Sequence, residues 1–258
     1  MPTFDRRQQL INLLQAQAGL RVPEIAEALG VSEGTVRNDL NALEAEGVLE
    51  RVHGGARLLQ ELSAYTPAFA ARLQTRREAK QAIAQKAAEF VQDGDSLLLD
   101  ASSTVYALCA HLRQRKGLTI FTNGIETGRE LVKNPANTVI LLGGTLRSDG
   151  MTIHVPLDGE MLAGLHFKTA FVSCSGFSLE AGMTEVDIHE AQLKRKMITR
   201  AGKVIALIDS SKFGQVDLTT FANLNQIDTL LTDSDLDADC QARLREAGIH
   251  FLVCGAAL

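Results

Sequence analysis

From residue 97 onward the chain repeats one pattern, a short apolar run followed by an amphipathic stretch and then another run. The runs at 97–100, 118–121, 139–142, 170–173, 204–207, 229–231 and 251–253 are apolar at nearly every position rather than at alternate ones. They are also too short to be buried helices, which leaves strands covered on both faces. The segments near 76–92, 104–114, 125–133, 187–201 and 237–247 carry helical periodicity. The expected architecture of this region is therefore α/β: an open, mostly parallel sheet flanked by helices.

Residues 1–60 differ, with helical apolar spacing and few β-branched runs, so a boundary separates two unequal domains. The stretch 61–75, with Tyr65-Thr66-Pro67, has weak periodicity and a proline that disfavours helix at the residue before it, and is expected to be a linker between domains 1–60 and 76–258. With 45% hydrophobic and 22% charged residues, the 258-residue chain is too apolar to stay disordered. No apolar stretch is long enough to cross a bilayer, and the charged first residues lack the apolar segment of an export signal, so a cytoplasmic protein without membrane partners is expected. Cys109, Cys174, Cys240 and Cys254 have no metal-ligand spacing and read as reduced, mostly buried thiols; no metal or cofactor is expected.

In the first domain Leu10, Ile11, Leu13 and Leu14 form the apolar stripe of one helix, expected to end at Gly19, and Pro23, Ile25, Ala26 and Leu29 belong to a second helix ended by Gly30. Ser32 is placed to cap a third, on which Val36, Leu40 and Leu43 share one narrow arc. The opposite arc carries Gly34, Arg37, Asn38 and Asn41. Arginine pairs with guanine edges and asparagine with adenine edges, so this face suits a major groove. Gly30-Val31-Ser32 is the short turn that a helix-turn-helix needs. The run 48–58 reads as two short strands around a glycine turn, a wing with Arg51, His53 and Arg57 available to phosphates and Gly54 and Gly55 at its tip. A polar helix face alone is ordinarily just solvated; capped helix, reading face and wing within one module point to DNA.

Residues 1–60 hold six arginines against eight carboxylates, a net of −2. Because the salt-dependent part of affinity scales with phosphates neutralised, one module binds weakly, and a homodimer or tetramer on double-stranded operator DNA is expected. The runs Val22-Pro23-Glu24-Ile25-Ala26, Val31-Ser32-Glu33-Gly34-Thr35-Val36-Arg37-Asn38-Asp39-Leu40, Leu43-Glu44-Ala45-Glu46-Gly47 and Arg51-Val52-His53-Gly54-Gly55-Ala56 strongly resemble the DeoR family of bacterial transcriptional regulators. The resemblance adds Thr35 to the expected DNA-binding residues.

In the second domain, Asp100 leads into Ala101-Ser102-Ser103-Thr104 and a helix, where backbone N–H groups and hydroxyls would hold an anion; equally, Ser102 or Ser103 is only that helix's cap. Other strand ends place Thr122-Asn123, Gly143-Gly144, Ser175-Gly176 and Lys212 on the same rim, where parallel sheets bind ligands. Gly143-Gly144 permits close approach to a ligand but also suits a plain turn, and Lys212 is either a phosphate's counter-charge or a surface lysine. Glu190 and Lys194, four apart, fit a surface ion pair, whereas Glu185, Asp187, His189 and Glu190 together suggest recognition of polyol hydroxyls.

This domain also looks like the DeoR sensor half, through Asp100 to Thr104, Thr122-Asn123, Leu142-Gly143-Gly144, the run 190–198, the run 209–214 and Thr232-Asp233. The resemblance implies a fold similar to ribose-5-phosphate isomerase and sugar-phosphate deaminases, a phosphorylated sugar as effector, and repression of a carbohydrate operon. No catalytic residue is expected. The rival is an isomerase or deaminase that uses Glu190, Asp187 or Glu185 as general base.

Overall fold

The computed structural model describes residues 3–16, 20–45, 48–52, 55–58, 67–147, 150–155 and 161–255. The chain divides into two compact units, Met1–Thr75 and Arg76–Leu258.

The first unit holds α1 (Thr3–Ala16), α2 (Val22–Leu29), α3 (Glu33–Ala45), the antiparallel strands β1 (Leu49–Val52) and β2 (Gly55–Leu58), and α4 (Pro67–Gln74). Most residues assigned from periodicity to the apolar faces form its core: Leu10, Ile11 and Leu14 of α1, Ile25 and Ala26 of α2, and Val36, Leu40 and Leu43 of α3, joined by Val22, Val48, Leu49 and Ala56. Leu29 is only partly buried against it, and Leu13, half-buried, is not part of it. Gly30 ends α2 in the left-handed conformation at φ 63°, its N–H turned back on the last carbonyls. Residue 19, the expected end of the first helix, lies outside the described residues; α1 is described to Ala16. The expected linker 61–75 contains a helix, α4. Pro67 opens it at a position where a missing N–H costs nothing, and Phe69 and Ala70 are buried.

In the second unit α5 (Arg77–Ala88), β3 (Ser96–Leu99), α6 (Ser103–Leu112), β4 (Thr119–Thr122), α7 (Ile125–Leu131) and β5 (Thr138–Leu141) come first. The short pair β6 (Thr145–Leu146) and β7 (Ile153–His154) follows, then β8 (Thr169–Val172), β9 (Gly176–Ser178), β10 (Gly182–Glu185) and α8 (Ile188–Thr199). The unit closes with β11 (Val204–Leu207), a 3-10 turn Ser210–Lys212, β12 (Thr219–Ala222), β13 (Thr229–Asp233), α9 (Ala238–Glu246) and β14 (Phe251–Cys254). All seven predicted strands join one parallel sheet in the order β14-β13-β11-β8-β3-β4-β5.

The continuous apolar runs are explained by two-sided burial. Leu97 and Leu99 pack with Ile83 of α5 and Leu108 of α6, whereas Leu98 faces Leu193 and Met197 of α8. Strand order reverses at β3: the chain winds outward to β4 and β5, then returns to place β8 on the other side of β3. A reversal of this kind opens a crevice at the strands' carboxyl ends. A small antiparallel sheet, β12-β10-β9, was not anticipated from the sequence.

Candidate nucleic-acid interface and ligand crevice

On α3, Gly34, Arg37, Asn38 and Asn41 are exposed while Val36, Leu40 and Leu43 are buried, so the two arcs separate as the spacing predicted. The Ser32 hydroxyl accepts the Thr35 N–H at 3.1 Å and shares a hydrogen bond with its Oγ1, which makes both residues part of the helix cap. The Arg37 guanidinium donates to Glu33 Oε2 at 2.6 Å. Arg51 donates from Nη1 to Asn41 Oδ1 at 2.7 Å and from Nε to the Gly55 carbonyl at 3.3 Å, joining the polar face of α3 to the wing. Gly55 is required for close approach, since a Cβ there would lie 2.3 Å from the Leu20 carbonyl oxygen. His53 and Gly54 lie outside the described residues, as does the side chain of Arg57, whose backbone pairs with Glu50 in the wing.

One residue of this module went unnoticed in the sequence. Asp39 is buried and accepts hydrogen bonds from Arg6 Nε at 2.5 Å and Arg7 Nε at 3.2 Å. Burial works against its charge, but the two guanidinium groups outweigh it and hold the carboxyl below its ordinary range. Two of the module's six arginines are thus engaged in folding.

At the reversal point of the sheet, Asp100 occupies the end of β3 fully buried. Its Oδ1 accepts the Ser102 N–H at 2.9 Å, and its Oδ2 accepts the Ser173 N–H at 2.7 Å, spanning to the end of β8. Lys194 lies 3.0 Å from Asp100 as an ion pair and donates to Glu185 at 2.5 Å and to the Ser173 carbonyl at 2.8 Å. Burial disfavours the ammonium, yet the carboxylates of Asp100, Glu185 and Glu190 outweigh that and raise its pKa. The surface ion pair between Glu190 and Lys194 is not formed; both are buried, and Lys194 turns to other carboxylates.

Glu190 instead receives the Asn123 amide at 3.2 Å, while Asn123 Oδ1 is buried without a partner. Burial pushes the Glu190 carboxyl up to about 7, opposed by Lys194 and aided by Asp100 and Glu185. Glu185 also accepts from Ser175 Oγ at 2.5 Å. Asp187 caps α8 by accepting the N–H groups of His189 and Glu190, and faces Arg147 at 3.2 Å and His154 at 3.4 Å.

Around this cluster, Ser102 caps α6 by accepting the Val105 N–H, and Ser103 and Thr104 sit buried in its first turn. Thr122 Oγ1 accepts the Gly124 N–H at 3.1 Å. Gly144 and Gly176 serve close backbone packing: added Cβ atoms would lie 2.1 Å from the His154 carbonyl oxygen and 2.7 Å from that of Gln215. Gly143 turns its N–H to Met161 Sδ. The Lys212 side chain has no carboxylate partner among the described residues, and its charge acts on the buried Cys174 just past β8.

A second feature escaped the sequence reading. Arg76 adopts φ 53°, the one positive φ outside glycine among the described residues, a conformation costing about 1–2 kcal/mol. Its Nη2 donates to Ser210 Oγ at 2.7 Å, Asp233 Oδ1 at 2.8 Å and Asp235 Oδ2 at 2.7 Å. Acidic residues at the ends of two strand runs were the only sequence signal for it.

Family models for the DeoR-like helix-turn-helix domain and the DeoR C terminal sensor domain match residues 6–61 and 75–234. The chain is 37% identical over 246 residues to the HTH-type transcriptional regulator GolR of Listeria innocua, covering 95% of this chain and 96% of that one. It is 34% identical to the lactose phosphotransferase system repressor of Streptococcus mutans, over 92% of this chain and 94% of that one. Among solved structures, ribose 5 phosphate isomerase A from Neisseria gonorrhoeae aligns at 15% identity and TM-score 0.40, covering 54% of each chain.

Proposed function

The chain belongs to the DeoR family of transcriptional regulators, and from that premise we propose that it represses a carbohydrate-use operon and is released from DNA by a phosphorylated sugar. The observation that carries this reading is the α3 face: Arg37, Asn38 and Asn41 point to solvent opposite a fully buried arc, with Arg51 tying that face to the wing. Arg37 and Asn38 contact base edges, Asn41 holds Arg51 in register, and backbone groups of the wing meet phosphates.

Arg6 and Arg7 are spent on Asp39, so one head neutralises few phosphates, and two or more copies share one operator. No helix among the described residues is long and apolar enough to cross a membrane, in keeping with work on chromosomal DNA in the cytoplasm.

For the effector, the amino-terminal end of α6 and Lys212, which has no carboxylate partner among the described residues, suit the phosphate, in the crevice at the sheet's reversal point. Asn123 Oδ1, an acceptor without a donor, and Glu190, which the Asn123 amide holds beside it, suit the hydroxyl end. Lys194, which donates to Glu185 and the Ser173 carbonyl and pairs with Asp100, is the strut that orients this cluster rather than a ligand contact. A thermal-shift screen of pentose and hexose phosphates tests the assignment. A ligand at about 100 times its Kd stabilises the native state by ~2.7 kcal/mol, and the same compound must displace operator DNA.

One observation favours catalysis as a second reading, since a buried glutamate with a pKa about 7 is suited to general-base work. The other two candidate bases are committed, Asp187 to capping α8 and Glu185 to Lys194 and Ser175. We take the protein to be a binder without turnover; conversion of any screening hit by the purified chain would reverse that.

A further inference from the structure

The regulator must pass occupancy of the crevice to the DNA-binding unit, and Arg76 is the first residue past Thr75, where that unit ends. We propose that Arg76 is the positioning residue of this coupling, a clasp whose hold on the ends of β11 and β13 sets the conformation of the chain entering the amino-terminal unit. The inference rests on the effector reading above only for the identity of the ligand that opens the clasp.

The hydrogen bonds define the device. Ser210 Oγ accepts from Arg76 at 2.7 Å and donates to Asp233 Oδ1 at 2.9 Å, while the Ser210 N–H donates to Asp233 Oδ2 at 2.6 Å. Asp209, 3.7 Å from Arg76 Nε, caps the same turn by accepting the Ser211 N–H. Two residues on, that turn carries Lys212, a cation without a carboxylate partner among the described residues. An anion drawn to Lys212 and the serine hydroxyls competes with Asp233 for the Ser210 hydroxyl proton, and turning that hydroxyl disturbs the bond its oxygen accepts from Arg76. Loss of Ser210 weakens the contacts that keep Arg76 at φ 53°, a conformation an arginine does not adopt unaided. The turn, the guanidinium and the Thr75–Arg76 peptide therefore change together. By reciprocity, whatever DNA does to that peptide is felt at residues 209–215.

The reciprocal effect is measurable without knowing the effector. Hydrogen–deuterium exchange of the full chain is followed with and without a duplex enriched by in vitro selection on the wild-type protein. The proposal expects duplex binding to change amide exchange in the 209–215 peptide by at least about fivefold. In Arg76→Gly, which tolerates the positive φ but lacks the guanidinium, the same duplex should bind and leave that peptide unchanged. Asp235→Ala removes an exposed partner without threatening the fold and should give a reduced response. An insensitive wild-type peptide, or a full response in both variants, overturns the clasp. The effector reading is tested separately: if no pentose or hexose phosphate alters duplex binding by wild type, that reading fails, while the DNA-driven exchange still decides the clasp.

Discussion

Lys194 Nζ lies 3.0 Å from Asp100 Oδ2, and that same oxygen accepts the Ser173 N–H at 2.7 Å, so one buried ion pair joins α8 to both strands flanking the reversal of the sheet. Replacing Lys194 by methionine keeps the stem and leaves Asp100 and Glu185 buried without their cation. The expected cost is about 3–5 kcal/mol, read as a fall in the urea midpoint of the carboxy-terminal unit. A loss under about 1 kcal/mol, typical of an exposed pair, would mean the cluster is not the strut described.

Glu190 makes stability depend on pH in an unusual direction for a carboxyl. Between its ordinary value of 4.5 and about 7, the folded chain keeps a proton that the unfolded chain has released. The contribution is therefore full below pH 4.5 and is lost as pH rises through 7. Relative to Glu190→Gln, wild type should gain about 3 kcal/mol on going from the upper end of that window to the lower. Parallel denaturation curves for the two proteins across the window would show this carboxyl to be ordinary.

On α3, Arg37→Ala should cost about 1–3 kcal/mol of operator affinity and relax the preference at one base position, with the circular dichroism spectrum unchanged. Glu33, which holds Arg37 at 2.6 Å, competes with DNA for it. Glu33→Ala should accordingly tighten binding. Fluorescence anisotropy on one duplex compares the three proteins, and equal affinities would place the contact surface elsewhere.

The two halves of the molecule were unequally legible. Burial pattern is local, so Leu97, Leu98 and Leu99 announced a strand covered on both faces, and Val36, Leu40 and Leu43 announced the inner side of α3. Pairings between distant segments left no periodic trace. Nothing near Asp100 indicates Lys194, and helical spacing suggested the wrong partner, Glu190, because it ignores what α8 is packed against. The strands β9, β10 and β12 are short and interrupted by glycine and polar residues, too weak a pattern to stand out beside the main sheet. Arg76 was invisible for a different reason, since its left-handed conformation is imposed by partners far along the chain.

Asp39 offers a test of how the DNA-binding unit spends its charge. Asp39→Ala frees Arg6 and Arg7 at a stability cost of about 1–3 kcal/mol. Each freed guanidinium that reaches a phosphate steepens the dependence of log K on log salt by about 0.9. Titrations at several salt concentrations should thus show a destabilised variant with a steeper slope, whereas an unchanged slope would mean the arginines lie out of reach of the duplex.

The most direct examination of the whole account is selection from random duplexes by the full-length protein, run with and without pentose and hexose phosphates. The account predicts enrichment of paired half-sites spaced by about one helical turn or its multiples, abolished by at least one of the phosphates and absent for Arg37→Ala. Recovery of unenriched sequence by the wild-type protein would contradict it.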